Sequence, residues 1–289
     1  MAMTTDAAQV VWAYWEDGPR AARPAYLDLC LETIKRHTPP LELRLLSRHD
    51  AYRWVPDLDT ERWEGLPLPN FRSDYIRSRV LERYGGIWID VDTIAMAPLG
   101  ELLAELNHTG MVCFGRELGR FFGGLCAASP GTAFVESWVA DQDRMLSRVA
   151  DWSTLPYAAL AQDVTWALAR RLPWKSLPMK RVAPVPWYQW RRFFSRTESP
   201  RRVLAASPVT VVLWNAVLSP LLRHRSEQTL LSDRILLSRL LRIGLAVSQC
   251  GDEEDAWTRL HPLSSARFSV PGQQVESALR RALERRAHP

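Results

Sequence analysis

The sequence contains little that would indicate an extracellular or membrane-embedded protein. Its four cysteines, Cys30, Cys113, Cys126 and Cys250, are widely spaced and form no CxxC pair, which argues against a zinc site or a disulfide framework. The longest apolar runs are interrupted by charge or proline well short of the roughly 20 residues that a membrane span needs. The stretch MAMTTDAAQV has neither the basic region nor the apolar core of a signal peptide. We therefore expect a cytoplasmic protein with buried, reduced thiols.

Lysine is also scarce: only three of the 37 lysine and arginine residues are lysines. The net charge of the chain is +5. The positive charge is thus carried almost entirely by arginine, whose planar fork suits phosphate and carboxylate groups. A nucleotide, an anionic acceptor or an anionic membrane surface would each fit this composition. Nucleic acid fits less well, since the arginines are spread along the chain and no stretch resembles a known nucleic-acid module.

The order of the apolar patterns predicts an α/β protein that becomes more helical toward its C-terminal half. QVVWAYWEDG and LELRLLSRHD have strand patterns and flank PAYLDLCLETIKRH, which has helical spacing, so a largely parallel sheet is expected. TGMVCFGRE and GGLCAASP are further candidate strands. After about residue 130, the segments GTAFVESWVADQDRML, YAALAQDVTWALARRL and DRILLSRLLRIG have helical patterns. A chain of 289 residues with 47% hydrophobic content can form one main domain with appendages.

The last stretch, GQQVESALRRALERRAHP, has Val275, Leu279 and Leu283 at helical spacing among arginines. This pattern predicts an amphipathic basic helix. Packing as a terminal helix is one interpretation, and peripheral contact with the inner face of a membrane is the other.

The stretch RSDYIRSRVLERYGGIWIDVDTIAMAPL carries the densest chemical signal. Ser73 is predicted to cap a helix, with Asp74 in its first turn and the pair Gly85 and Gly86 at its end. Asp74 and Arg77 are three residues apart and should project from one face of that helix.

Two aspartates follow in GIWIDVDTIA, which we interpret as a buried strand. Residues two apart in a strand point the same way, so Asp90 and Asp92 should share one side at about 6 to 7 Å between α-carbons. Like charges so close repel each other unless a positive group stands beside them. A divalent metal on a diphosphate, together with a sugar hydroxyl, would satisfy both carboxylates. An Asp-Arg salt-bridge network at a sheet end is the structural alternative.

The spacing SDxxRxxxLxxxGGxxxDxD resembles the DxD glycosyltransferases of family 32 and of the capsular polysaccharide synthesis type, and more distantly the large clostridial toxin glucosyltransferases. The likeness extends over roughly residues 8 to 240. It implies a GT-A-type fold over residues 1–240, with a mixed, mostly parallel sheet, and a helical extension over 241–289. It also implies retaining transfer of a sugar from a nucleotide-diphosphate donor. The residues that carry the pattern are Ser73, Asp74, Arg77, Leu81, Gly85, Gly86, Asp90 and Asp92.

The resemblance implies roles for individual residues. Asp92, with Asp90, would bind Mn²⁺ or Mg²⁺, and Asp90 would hold ribose and sugar hydroxyls. Asp74 and Arg77 would hold the donor sugar, and Trp15 would stack on the base. The implied catalytic set consists of the four charged residues Asp74, Arg77, Asp90 and Asp92. The remaining residues that it implies for nucleotide-sugar binding are Ser73, Gly86, Gln162, Asp163, Trp214 and Asn215. For Gln162 and Asp163 a helix cap is the alternative.

The segment VLWN departs from the family pattern. Relatives carry a metal-touching His or Ser where this chain has Val212, so only Trp214 and Asn215 of that element are present. Asn215 or water could complete the metal site, or Asp92 and the diphosphate could hold the metal by themselves.

Two other functions are compatible with parts of the sequence. IWIDVDTIA also fits the nucleophile strand of haloacid dehalogenase-type phosphatases, with Asp90 as nucleophile. That enzyme would need a suitable lysine, and only Lys175 and Lys180 in a proline-rich stretch are at hand. A non-catalytic binder of sugar nucleotides is the second alternative, suggested by Val212. The donor sugar, the base and the acceptor, whether a glycan, a lipid-linked or a small molecule, are left open.

Overall fold

The computed structural model describes residues 9–18, 22–107 and 109–246, which fall into two units. Unit 1 contains the segment that ends at Glu16, together with Thr38–Asp90 and Leu99–Met179. Unit 2 contains Asp17–His37, Val91–Pro98 and the segment that begins at Lys180. The chain therefore passes from unit 1 to unit 2 between the two aspartates of the DxD motif.

The described residues contain the following strands and helices. In chain order, the strands are β1 Val10–Tyr14, β2 Glu42–Leu46, β3 Gly86–Ile89, β4 Thr93–Ala95, β5 Met111–Phe114, β6 Phe122–Ala128, β7 Lys175–Leu177 and β8 Thr210–Val212. The α-helices are α1 Ala25–His37, α2 Asp50–Trp54, α3 Thr60–Gly65, α4 Pro69–Tyr84, α5 Glu101–Ala104, α6 Ala133–Arg148, α7 Val164–Ala169, α8 Met179–Val182, α9 Pro200–Leu204, α10 Asn215–Leu222, α11 Glu227–Ser232 and α12 Leu236–Ala246. A π-helical turn spans Ala159–Asp163, and 3₁₀ segments span Arg116–Leu118, Trp152–Thr154 and Trp187–Phe194.

Unit 1 is built on a six-stranded sheet with the order β2-β1-β3-β6-β5-β7. β1 runs parallel to both β2 and β3, and β5 runs parallel to β7, whereas β6 is antiparallel to its neighbours β3 and β5. β1 and β3 are buried along their whole length, as expected of strands covered on both faces. The predicted α/β class with a mixed, mostly parallel sheet and flanking helices is confirmed.

Helix α4 begins earlier than predicted. Leu68 precedes it and Pro69 occupies its first turn, where the fixed φ of proline favours helix initiation. Ser73 and Asp74 consequently lie in the second turn, so the prediction that Ser73 caps the helix and that Asp74 lies in its first turn is wrong. The helix ends as predicted at Gly85, whose φ of 65° is readily adopted by glycine.

The segment GIWIDVDTIA is not one strand. β3 ends at Ile89, and residues 90–92 turn the chain toward β4, which pairs antiparallel with β8 in unit 2. The prediction that Asp90 and Asp92 share one face of a strand is therefore wrong. The chain leaves the sheet where the carboxylates begin, since unpaired carboxylates are costly inside a buried strand.

Unit 2 contains the β4 and β8 pair and helices that pack around it. α12 lies against α1, where the buried His37 contacts the carbonyl of Gly244 at 3.2 Å through Nε2. The predicted boundary after residue 240 falls within α12. The predicted basic helix with Val275, Leu279 and Leu283 lies outside the described residues. In the described part of the chain, no helix is long and apolar enough to cross a membrane.

Candidate active site

Arg77 is the centre of a buried charge cluster in unit 1. Its position in α4 places it one turn after Asp74, and its Nη1 lies 3.2 Å from Asp74 Oδ1. Its Nη2 donates to Asp90 Oδ1 at 2.9 Å. Only 3% of Arg77 is exposed. One guanidinium therefore connects two carboxylates that are distant in sequence, as its fork geometry allows.

Asp90 lies directly after β3, at the carboxyl end of that strand. Its Oδ1 accepts a second hydrogen bond, 2.8 Å long, from Nε1 of Trp88, and its main-chain N–H donates to the carbonyl of Gly124 at 2.7 Å. Even so, 36% of the side chain is exposed. The carboxylate is thus held from inside through Oδ1 while part of it faces solvent, at the strand end where open α/β sheets bind ligands.

Two glycines of β6, Gly123 and Gly124, form the wall behind this cluster. A Cβ on Gly123 would lie 2.4 Å from Nη1 of Arg77, and a Cβ on Gly124 would lie 2.6 Å from Oδ2 of Asp90. Neither contact is sterically acceptable, so the main chain of β6 approaches as closely as only glycine permits. Sequence reasoning missed both residues, although a glycine pair inside a strand pattern is a recognisable signal of such an approach.

The surroundings of the cluster favour the neutral form of Asp74 and the charged form of Arg77. Burial raises the pKa of Asp74 to about 7, an effect that Arg77 opposes and Asp90 reinforces. For Arg77, burial disfavours the charge, but attraction to Asp90 and Asp74 prevails and its pKa is raised. Near neutral pH, the cluster can therefore hold a proton on Asp74 while Arg77 stays charged.

Helix α6 fixes this turn of α4 through Gln142, which is completely buried. Its Nε2 donates to the main-chain carbonyls of Asp74 at 3.0 Å and Leu160 at 2.6 Å. Its Oε1 accepts from Ser78 Oγ at 2.7 Å and Arg79 Nη1 at 2.9 Å. Four hydrogen bonds satisfy the amide and join α4, α6 and the π-helical turn.

Asp92 belongs to unit 2. Its Oδ2 accepts a 2.6 Å hydrogen bond from the main-chain N–H of Asn215, the first residue of α10. The Asn215 side chain accepts a hydrogen bond from the Tyr26 hydroxyl. Trp214 precedes the helix in a left-handed conformation with φ of 56°, and its indole donates to the carbonyl of Val185 at 2.8 Å. Asp92 thus binds the N-terminus of a helix, a favourable place for a carboxylate.

Val212, the position that departs from the family pattern, is buried in β8 and lies opposite Thr93 in the β4 and β8 pair. Leu213 follows it and donates its main-chain N–H to the carbonyl of Asp92 at 2.8 Å. The side chain at position 212 is therefore part of the core of unit 2.

The other residues implied by the resemblance are distributed around unit 1. Trp15 follows β1 and is half-buried, and Ser73 is half-buried in α4. Gly86 begins β3, so it is separated from Asp90 by the length of the strand, about 13 Å at 3.3 Å per residue. Gln162 and Asp163 end the π-helical turn.

Gln162 accepts a 3.1 Å hydrogen bond from Nη1 of Arg120. Asp163 precedes α7 but makes no side-chain capping bond, so the capping interpretation of this pair is not supported. Of the implied set in unit 1, the structure brings together Asp74, Arg77 and Asp90, and it does not bring Gly86 to them.

No group of three or more His, Cys, Asp or Glu side chains suited to a metal ion occurs among residues 9–18, 22–107 and 109–246. Carboxylate oxygens such as those of Asp90 and Asp92 are nevertheless hard ligands. Mg²⁺ typically uses only one or two carboxylates and takes its other ligands from substrate phosphates and water. Either carboxylate by itself could therefore serve as a single protein ligand of a cation delivered together with a diphosphate.

Comparison with known proteins gives a family match over the N-terminal part. Residues 2–119 match the family model described as capsular polysaccharide synthesis protein. This segment contains α4, the double glycine and both aspartates of the DxD motif. The match confirms the predicted resemblance to capsular polysaccharide synthesis proteins over this segment. No curated protein matches the chain significantly.

Three solved structures are similar to the chain at low identity. The PaToxG glycosyltransferase is 14% identical, with 58% of this chain and 70% of that chain covered and a TM-score of 0.37. The WbbM bifunctional glycosyltransferase is 12% identical, with 90% and 53% covered and a TM-score of 0.46. An active-site mutant of LgtC is 16% identical, with 71% and 85% covered and a TM-score of 0.39. The chain thus spans about half of the WbbM chain.

Proposed function

We propose that the protein transfers a sugar from a nucleotide-diphosphate donor to a glycan, lipid-linked or small-molecule acceptor, with retention and with Mn²⁺ or Mg²⁺. The observation that supports this proposal best is the half-exposed Asp90 at the carboxyl end of β3, anchored from inside by Arg77 and Trp88. A carboxylate fixed in this way is suited to accept hydrogen bonds from sugar or ribose hydroxyls.

We propose different tasks for the three cluster residues, and the difference in their burial supports this division. Asp90 is the member with substantial exposure, so it contacts the donor. Arg77 and Asp74 are nearly inaccessible, and they orient Asp90 and set the charge around it. Because the guanidinium neutralises the carboxylates in a buried setting, the cluster can receive a donor without the repulsion that two bare acids would create.

Asp92 is the proposed protein ligand of the cation, and Trp15 is the proposed platform for the base. When bound, the cation would neutralise charge on the departing diphosphate. Asp92 keeps one oxygen on the helix N-terminus, which fixes the carboxylate for that role. Gln162 and Asp163 are proposed to contact donor or acceptor groups. Acceptor attack on the face from which the diphosphate leaves would give retention.

Peripheral membrane contact through the basic segment 272–289 stays a separate prediction. Vesicles containing anionic lipid should bind the full chain and should not bind a chain shortened to residue 246. Equal binding of both chains would contradict it.

Thermal unfolding with a panel of nucleotide sugars, with and without MnCl₂, tests the proposed function. One donor should raise the unfolding temperature, and manganese should increase that shift, because a ligand that binds the native state stabilises it. The stabilising donor should then be turned over with release of nucleoside diphosphate.

Two control measurements separate this function from its alternatives. Asp90→Asn should abolish the donor-dependent shift, whereas Asp57→Asn, which alters an exposed acid in unit 1 paired with Arg83, should retain it. Release of inorganic phosphate from phosphomonoesters, with no nucleoside diphosphate released from any donor, would favour the phosphatase. Stabilisation without turnover would favour a non-catalytic binder.

A further inference from the structure

Helix α4 carries three buried arginines, and two of them each hold an acid beyond the carboxyl end of a strand. Arg77 holds Asp90 after β3, and Arg72 holds Glu16 shortly after β1. β1 and β3 are parallel neighbours, so both acids lie at the same edge of the sheet. Arg72 and Glu16 have no part in the resemblance or in the site described above.

The contact between Arg72 and Glu16 is bidentate and nearly dry. Nε and Nη2 of Arg72 donate to the two carboxylate oxygens of Glu16, the second bond being 2.9 Å long. The side chains are 7% and 13% exposed, respectively. Nη1 of Arg72 donates to the carbonyl of Leu66, and the hydroxyl of Tyr14 donates to Glu16. Burial lowers the pKa of Arg72, but its bonds to Glu16 prevail and raise it.

A buried ion pair of this kind adds little stability compared with well-packed apolar residues, because desolvation offsets the attraction. What it does provide is geometry, since two parallel hydrogen bonds fix both the distance and the orientation of the partners. The residue fixed on both sides is Trp15. Its main-chain N–H donates to Leu46 at 2.9 Å, and its neighbours Tyr14 and Glu16 are held in the network of Arg72.

We infer that Arg72 and Glu16 are positioning residues that hold Trp15 at the carboxyl edge of the sheet to receive the base of a nucleoside diphosphate. This inference rests on the proposed function and adds to it a specific division of labour within α4. Arg72 would fix the base end of the donor, and Arg77 would fix the sugar end through Asp90.

Binding measurements with two probes test this division. The first probe is the nucleoside diphosphate that the wild type binds best among those of adenosine, guanosine, cytidine and uridine. The second is inorganic pyrophosphate, which lacks a base, and both are titrated with MnCl₂ present. The variants are Arg72→Met, Glu16→Gln and the milder Arg72→Lys, which keeps the charge but not the fork. Arg83→Met is the matched control, because Arg83 lies in the same helix and pairs with Asp57 near the surface.

Arg72→Met and Glu16→Gln should each weaken nucleoside diphosphate binding by about 10-fold, the loss expected when a stacked base is misplaced. Pyrophosphate binding should stay within about twofold of wild type, and Arg83→Met should change neither. In a Trp15→Ala background, Arg72→Met should cause no further loss, since residues acting through one contact are not additive. If Arg72→Met fails to fold, the same pattern with a smaller loss is expected from Arg72→Lys.

Three results would overturn the inference. Equal losses for both probes would show that the pair merely supports the fold, and unchanged binding of both would show that it has no effect on the site. In each of these cases, nucleoside diphosphate binding by the wild type would leave the proposed function standing. If the wild type binds no nucleoside diphosphate, the proposed function fails, and the inference fails with it.

Discussion

Replacing Gly124 with alanine should damage the site through a single added methyl group. The new Cβ would lie 2.6 Å from Oδ2 of Asp90, where van der Waals contact requires more than 3 Å. Strand β6 cannot shift away from the added methyl group because it is hydrogen-bonded to β3. The carboxylate of Asp90 must therefore move. Moving it disturbs the hydrogen bonds that Oδ1 receives from Arg77 and Trp88.

The magnitude follows from those two bonds. A hydrogen bond to a charged group contributes about 1.5 to 3 kcal/mol, but Asp90 is partly exposed and water would replace part of the loss. The ion pair between Asp74 and Arg77 would remain. We therefore expect Gly124→Ala to lower the free energy of unfolding by about 2 kcal/mol. Turnover should fall by about 100-fold, because misplacing a positioning group by roughly 1 Å has an effect of this size.

Gly100→Ala is the matched control for this experiment. A Cβ there would meet only Leu41, at 3.9 and 4.0 Å, and the backbone φ of −56° suits alanine. Urea unfolding followed by tryptophan fluorescence should place Gly100→Ala within about 1 kcal/mol of wild type, with normal turnover. If Gly124→Ala matched Gly100→Ala in both measurements, the idea that β6 sets the position of Asp90 would be refuted.

The remaining predictions concern charge. The neutral form of Asp74 is favoured in the fold, so wild-type stability should fall from about pH 4 to its pKa of about 7 and level off above it. In the wild type this decline should have a slope of about 1.4 kcal/mol per pH unit, and Asp74→Asn should lack it. If urea unfolding gave the same pH dependence of stability for both proteins, Asp74 would not be its cause. Arg77→Lys should reduce donor affinity and turnover, because one ammonium cannot bridge both carboxylates. Arg83→Lys is the control and should have normal kinetics. Normal kinetics for Arg77→Lys as well would limit Arg77 to a structural role. Asp92→Asn can still accept from Asn215 and should fold, yet its metal-dependent turnover should fall by about 100-fold or more, and unchanged turnover would remove Asp92 from the metal site.

Local patterns in the sequence were sufficient to predict the parallel strands β1 and β2 of unit 1. β1 and β2 have distinct apolar patterns, and the helical spacing of Ala25–His37 separates them, so a parallel arrangement followed from chain connectivity. Pairing between β3 and β6 involves residues about 40 positions apart, and no local pattern contains that information. The start of α4 was misplaced because Ser73 is a good capping residue, although Pro69 was the stronger signal.

The candidate site was predictable where its chemistry depends on spacing within one helix. Asp74 and Arg77 face each other as expected from their separation of three residues. The bond from Arg77 to Asp90 depends on how α4 packs beside β3, which spacing does not determine. Gly123 and Gly124 carry no reactive side chain, so the sequence offers only the glycine pair within a strand pattern as a signal, and the identity of the group that approaches Gly124 comes from the structure.

The buried amide of Gln142 has a consequence for local unfolding. The π-helical turn Ala159–Asp163 is as short as an ordinary surface loop. Unlike such a loop, it is tied to α6, because its Leu160 carbonyl accepts hydrogen bonds from Gln142 and from the indole of Trp138. Opening the turn would leave buried donors on α6 unsatisfied, at about 1 to 3 kcal/mol each. Amide hydrogens in the turn should therefore exchange with solvent together with those of α6 and the middle of α4, as one cooperative segment. The segment that carries Gln162 should then be protected from exchange to the same extent as the helices behind it.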